Sequence, residues 1–450
     1  MSNQILPLDT NLGAFNLANF TPFGKIFIFG KTSLRNVSMS SITQQKPPVL
    51  RSMIDVQPIS YGNQPYLLVR DLLELSEQTL LVPQPLAPVL AWCDGSHGLA
   101  EIQRRLRLEY GVQISLAEIQ GLLQAMDEAL LLENERFEAA WDTALAAYQQ
   151  APYRPMSCAP HVYPAGSAEL KNLLNTYLKQ VEASSNGAVV ASDIRGVISP
   201  HIDYPRGGRV YAQVWQMARE AAQEAELAVI FGTDHYGGFD RFTLTRQDYA
   251  TPYGRLPTDQ PAVTQLAEAI GSEAAFGGEI RHRVEHSIEL AAVWLHHMRA
   301  GRPIELLPIL CGGFEGFILG DAKAESDDLL ARFFTTLTQV VGARKVLFVA
   351  AADLAHVGPA FGGPALNGTG RADLKAADER LLAQITSGNA AGFLQEIRRE
   401  QDAYNVCGTA PIYLLLRALA PAQGIVTAYD SCAADQQDTS CVTVCGAVLQ

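Results

Sequence analysis

Leu227-Ala228-Val229-Ile230-Phe231-Gly232-Thr233, running directly into Asp234-His235-Tyr236, carries the strongest fold signal in the chain. It is a short uncharged run, partly β-branched, with polar residues at its end. Such a run reads as a strand buried on both faces, as in parallel sheets. Two other runs repeat the pattern. Gly196-Val197-Ile198-Ser199-Pro200 enters His201-Ile202-Asp203-Tyr204, and Lys345-Val346-Leu347-Phe348-Val349-Ala350-Ala351-Ala352 enters Asp353-Leu354-Ala355-His356. In open α/β sheets ligands sit just past the carboxyl ends of strands. Three such ends carrying His and Asp predict one shared rim.

Around these runs, strands alternate with helical patterns from the Pro-containing connection Ala151-Pro152-Tyr153-Arg154-Pro155 onward. Helices are expected near Ser167–Glu182, Val210–Glu224, Glu285–Met298 and Asp327–Val341, and a strand at Leu306–Cys311. This alternation predicts an α/β domain over 157–450, with a mostly parallel or mixed central sheet and helices on both faces. Upstream, residues 1–45 read as a flexible N-terminal arm with a short hairpin around Lys25–Lys31. Residues 46–145 read as a small winged-helix-like α+β module, and 146–156 as a linker. In the module, Gly111 ends one helix, the capping box Ser115-Leu116-Ala117-Glu118 opens the next, and Leu130–Phe137 is expected to be the strand of the wing.

With 450 residues, 48% of them hydrophobic, the chain can bury large cores. Its formal net charge of -13 argues against nucleic acid or an anionic membrane as partner. No run of about 18 apolar residues occurs, and Met1–Asp9 lacks the pattern of a signal peptide. The module at 46–145 holds 7 basic and 14 acidic residues, a poor balance for reading DNA. Seven scattered cysteines without a Cys-x-x-Cys pair fit a reducing, cytoplasmic setting. Cys441 and Cys445 read as compact core residues.

Among candidate functional residues, His201 follows a proline at a strand end, with Asp203 close enough to fix its tautomer. His235 sits in a glycine-rich turn. Cys407 precedes the apolar helix Ile412–Leu419, where the helix dipole favours a thiolate, and thiolates bind soft and borderline metals. Each of the three also has a plain structural reading, as a packed histidine or a buried turn cysteine. Glu285 opens a helix beside His286 as either an acid/base or a cap, and Asp353 with His356 forms an acid/base or ligand pair. His282, His296 and His297 read as surface or packing residues.

These residues fall in segments that resemble, in order, the motifs of the Memo-like family, called AmmeMemoRadiSam system protein B in prokaryotes: "SPHIDY", "GTDHYGG", "EHSIEL", "AADLAHVG" and "VCGTAPI". The resemblance covers about 152–450. It implies the fold of class III extradiol dioxygenases of the LigB type and a metal site of two histidines and a cysteine, here His201, His235 and Cys407. It also places Asp353, His356, Glu285 and His286 around the same pocket as candidate catalytic residues. The chain departs from the family pattern at Tyr236, which replaces a histidine, at Thr409-Ala410, which replaces Arg-His, and at Cys158, which replaces another histidine. The implied ion is Fe(II) or Cu(I), with Zn an alternative. The implied function is a redox or dioxygenase-like enzyme acting on a small molecule or peptide. The alternative is a non-catalytic peptide- or protein-binding scaffold that works with a radical-SAM partner. The pattern "LAWCDGSHGLAEIQRRL…YGVQIS…LL" in turn resembles the PqqD-like fold, which implies partner binding by 46–145.

Overall fold

The computed structural model describes residues 25–28, 46–184, 193–237, 241–318, 320 and 328–450. It divides into two units, Met1–Ala147 and Tyr148–Gln450. The expected N-terminal arm lies outside the described residues except for 25–28.

The first unit is built on a four-stranded sheet. Strands β2 (Ile54–Tyr61), β3 (Gln64–Asp71) and β4 (Gln78–Pro83) are antiparallel, and β1 (Lys25–Ile28) pairs in parallel with β4. Of the hairpin expected around Lys25–Lys31, the described residues 25–28 form a strand whose partner lies some fifty residues downstream, and the rest lies outside the described residues. Local sequence carries no trace of such a partner. The helices Ala87–Trp92, Leu99–Tyr110 and Leu116–Glu128 come next and supply much of this unit's core. Gly111 has a left-handed φ of 68° at the end of the second, and Ser115 and Glu118 form the capping box of the third. The wing expected at Leu130–Phe137 is not a strand. Leu132 makes only an isolated bridge to Leu50, and the helix Glu135–Gln150 begins three residues later. The Asn134 side chain accepts the N–H groups of Arg136 and Phe137, satisfying donors that a new helix leaves open.

In the second unit the central sheet has eight strands. They are β5 (Gly196–Ser199), β6 (Leu227–Thr233), β7 (Phe242–Leu244), β10 (Glu305–Cys311), β11 (Val346–Ala351), β12 (His356–Val357), β13 (Gly424–Ala433) and β14 (Cys441–Leu449). A separate hairpin joins β8 (Tyr249–Thr251) to β9 (Gly254–Leu256). The middle strands β5, β11, β6 and β10 are parallel neighbours, while β14 and β7 flank them antiparallel. The α/β class with a mixed central sheet thus holds, and every residue of β5 and β6 is buried.

Period-two alternation sends successive residues to opposite faces. Val229, Phe231, Leu307, Ile309, Phe348 and Ala350 pack on one side with the helices Gln260–Ile270, Asp328–Val341 and Thr409–Leu419. Ala228, Ile230, Leu306, Leu310, Leu347 and Val349 pack on the other with Ser167–Ser184, Tyr204–Met217 and Ser287–Met298. Two glycines permit close approach near the candidate residues. A Cβ on Gly232 would meet Ile288 at 2.4 Å, and one on Gly408 would meet the Asp353 carbonyl at 2.3 Å. No helix among the described residues is long and apolar enough to cross a membrane.

The helix expected over Val210–Glu224 starts earlier, at Tyr204, and breaks at Ala218. Its start is set by Asp203, whose carboxylate accepts the Arg206 N–H at 3.1 Å, and by Pro205 in the first turn. In the segment expected as a linker, 146–150 are helical and Arg154 is wholly buried.

Candidate metal centre

Ala351 pairs with Ser199 of β5 on one side and with Gly232 of β6 on the other. Three adjacent strands therefore leave the sheet at one level, and the residues just past them converge: His201, His235 and Asp353. The turn before Thr409–Leu419 brings Cys407 to the same rim, and the turn before Ser287–Met298 brings Glu285 and His286.

His201 is buried, and its main-chain N–H donates to Asp353 Oδ1 at 2.8 Å. Its Nδ1 lies 3.0 Å from the carbonyl oxygen of Ala351. A carbonyl can only accept, so Nδ1 carries a proton and Nε2 faces the rim, 3.2 Å from Cys407 Sγ. The tautomer is thus set by Ala351, and Asp203, expected to set it, serves as a helix cap. At His235, Nδ1 stands 3.1 Å from both oxygens of Glu285, which also accepts the His235 main-chain N–H at 3.0 Å. Its Nε2 is again the outward nitrogen. His286 Nδ1 lies 3.3 Å from the same carboxylate. The rings of His235 and His286 stack at 4.8 Å, and candidate ligand atoms of His201, His235 and His286 all lie within 4.8 Å of one another.

Charge is tightly coupled here. Burial disfavours a charged His201, yet Asp353 and the Cys407 sulfur outweigh it and lift its pKa to about 9. Burial likewise opposes a Cys407 thiolate, but His201 and His356 hold the thiol well below its usual value. Glu285 is wholly buried, which would raise its pKa, and the His235 and His286 imidazoles nevertheless keep it well below the carboxylate range. For Asp353 burial wins and the pKa rises. Burial brings His286 down to about 4.

The donor set fits a transition metal. Histidines that ligate through one nitrogen donate the other to a carbonyl or carboxylate, as His201 and His235 do. In a tetrahedral site with typical bond lengths, nitrogen and sulfur ligands stand about 3.5 Å apart, close to the 3.2 Å between His201 and Cys407. His286 adds a further donor.

Apart from Asp203, the candidates named from the sequence reach this rim. His356 is half-buried, with Nδ1 3.2 Å from the Leu354 carbonyl and its ring edge-on to the exposed Phe361. Glu285 also accepts the Ser287 N–H at 2.9 Å and so caps the helix, the second of the two roles expected for it. At the departures, the Thr409 hydroxyl donates to the Val406 carbonyl at 2.7 Å, and Ala410 and Cys158 are buried. His282, His296 and His297 make packing hydrogen bonds with Tyr249, Thr251 and Tyr253.

The supporting groups Thr233, Asp234 and Ser287 lie in the quoted motifs without having been singled out from them. Ser287 Oγ donates to the Thr233 carbonyl at 2.9 Å, and Thr233 Oγ1 donates to the Cys407 carbonyl at 3.3 Å, tying three rim segments together. Asp234 pairs with Arg281 at 2.9 Å, and burial lifts its pKa to about 6.

Comparison with known proteins gives a consistent result. The profile described as "Memo-like protein" matches residues 154–448. A "MEMO1 family protein" of Aquifex aeolicus is 27% identical over 320 residues, covering 71% of this chain and 78% of the relative. One from Methanosarcina mazei is 26% identical over 265 residues, covering 59% and 85%. A third, from Thermus thermophilus, is 27% identical over 292 residues, covering 64% and 81%.

Proposed function

This chain belongs to the Memo-like family, and on that premise we propose that it is a metal-dependent redox or dioxygenase-like enzyme. Its ion is held by His201 Nε2, His235 Nε2 and Cys407 Sγ, with His286 available as a further donor. The observation that carries the reading is the pair of fixed Nδ1 contacts, Ala351 to His201 and Glu285 to His235, which leave both Nε2 atoms for an ion beside the Cys407 sulfur. Imidazole suits iron, copper and zinc, and thiolate selects copper(I) or zinc. The bound ion supplies redox chemistry and a Lewis-acid position for an oxygen-bearing substrate.

The chain's own groups do the rest. Glu285 orients His235. Asp353 uses Oδ1 to hold the His201 main chain, which leaves Oδ2 as its proton-handling atom. His356, half-exposed at the rim, exchanges protons between that interior and solvent. Phe361 stands edge-on to the His356 ring.

The test is elemental analysis of protein purified without added metal, and then the same measurement on Cys407→Ala. The variant should retain less than about a tenth of the ion, as loss of a direct ligand costs more than loss of an outer partner. Undiminished metal content would refute the ligand set. A scaffold role with a radical-SAM partner is the second reading, favoured by the replacements at Tyr236, Thr409 and Ala410. Oxygen consumption by the metal-loaded protein across candidate substrates separates the two.

A further inference from the structure

Arg154 has no role in the chemistry proposed above, yet its side chain is wholly buried. A guanidinium carries five N–H groups, and here five acceptors surround it. Nε donates to the His282 carbonyl at 2.7 Å. Nη1 donates to the Pro155 carbonyl at 2.9 Å and to the Glu289 carboxylate. Nη2 donates to the Ser157 hydroxyl at 2.9 Å and to the Glu285 carbonyl at 2.8 Å. Glu289 is equally saturated. It accepts the N–H groups of Ser157 and Cys158, each at 2.9 Å, the Ser157 hydroxyl at 2.9 Å, and the Tyr163 hydroxyl. An ion pair fixed this completely cannot drift, and it grips two carbonyls of the turn that ends in Glu285. The side chain of that same residue holds both the main chain and Nδ1 of His235.

We propose that Arg154 is a positioning residue for the metal centre: by anchoring the Glu285 main chain it fixes where the Glu285 carboxylate meets His235, and hence where His235 Nε2 points. The inference rests on the reading of Glu285 as the group that orients His235.

Arg154→Lys tests it. Lysine keeps a charge for Glu289, but one ammonium cannot reproduce the planar fork that reaches both the His282 and Glu285 carbonyls. In metal-free protein, NMR of ¹⁵N-histidine should show the His235 Nδ1 proton exchanging about tenfold faster in the variant, the size expected when a charged hydrogen bond is loosened. Cobalt(II) titration should show affinity about 10–100-fold lower, with the thiolate–cobalt absorption retained. Arg299→Lys is the control for general loosening. Arg299 is also buried and holds the Ala225 carbonyl at 3.0 Å and the Pro303 carbonyl at 3.2 Å, none of them at the centre. Unchanged His235 exchange in Arg154→Lys, or the same change in Arg299→Lys, overturns the proposal. Tyr163→Phe removes one donor from Glu289 and should shift the same exchange rate in the same direction by less. An unshifted rate there overturns the proposal even if Arg154→Lys does not fold. Faster exchange in a protein that binds no cobalt in its wild-type form upholds Arg154's role and sinks the metal reading instead.

Discussion

Glu285 and Glu289 stand four residues apart and both are wholly buried, yet their surroundings differ in kind. Glu289 faces Arg154, a cation that never gives up its charge, together with four neutral donors. Glu285 faces two imidazoles, whose charge depends on a proton or an ion. Neutralising a buried carboxylate permanently makes a structural brace. Neutralising it conditionally makes a site that responds to what it binds. Residue type alone does not separate the two; the partner does.

The contrast breaks most visibly at Glu289. Glu289→Ala strands the Arg154 charge in the interior, which should cost about 3–5 kcal/mol of unfolding free energy. Denaturant titration of metal-free protein measures it, and a loss under about 1 kcal/mol would show that the pair is not the brace described.

A third buried carboxylate, Asp378, sharpens the comparison because its hydrogen-bond partners are neutral, the hydroxyls of Tyr429, at 2.8 Å, and Thr443. Burial, only partly offset by those two bonds, raises its pKa from 3.8 to about 6. The folded state therefore binds the proton more tightly than the unfolded chain. The stabilisation is complete below about pH 4 and disappears as pH rises through about 6. Asp378→Asn should consequently gain about 2–3 kcal/mol on wild type between pH 4 and pH 8. A difference in thermal stability that does not vary with pH would contradict this.

The smallest effect is expected at Glu285. Glu285→Gln keeps the shape but removes the charge and one of the two oxygens that accept N–H groups, so metal affinity should fall about 10–100-fold with the fold retained. Competition titration with a chelator reads the affinity. Collapse of the fold would place Glu285 with Glu289 as a brace.

Much of this was legible in the sequence. The apolar runs ending at Ser199, Thr233 and Ala351 announced both the sheet and the rim where the candidate residues meet, since burial on both faces excludes polar residues until the strand ends. His201, His235, Asp353 and His356 are found there for that reason. What was not legible depends on distant partners. The strand at Lys25–Ile28 is defined by β4. The wing expected at Leu130–Phe137 is a different case, a local signal misread, since Asn134 caps the helix that follows it. The Arg154 fork binds groups more than a hundred residues away, at His282 and Glu285, and no spacing rule foretells that.

The place of β14 has a consequence for biosynthesis. Its residues leave the ribosome more than two hundred positions after those of β5, yet it lies directly against β5 in the finished sheet. Pairings of such long sequence separation form slowly. The nascent polypeptide thus emerges with His201 already present and its sheet neighbour still unmade. The rim is thereby completed only once translation has passed Cys407 and the sheet has closed.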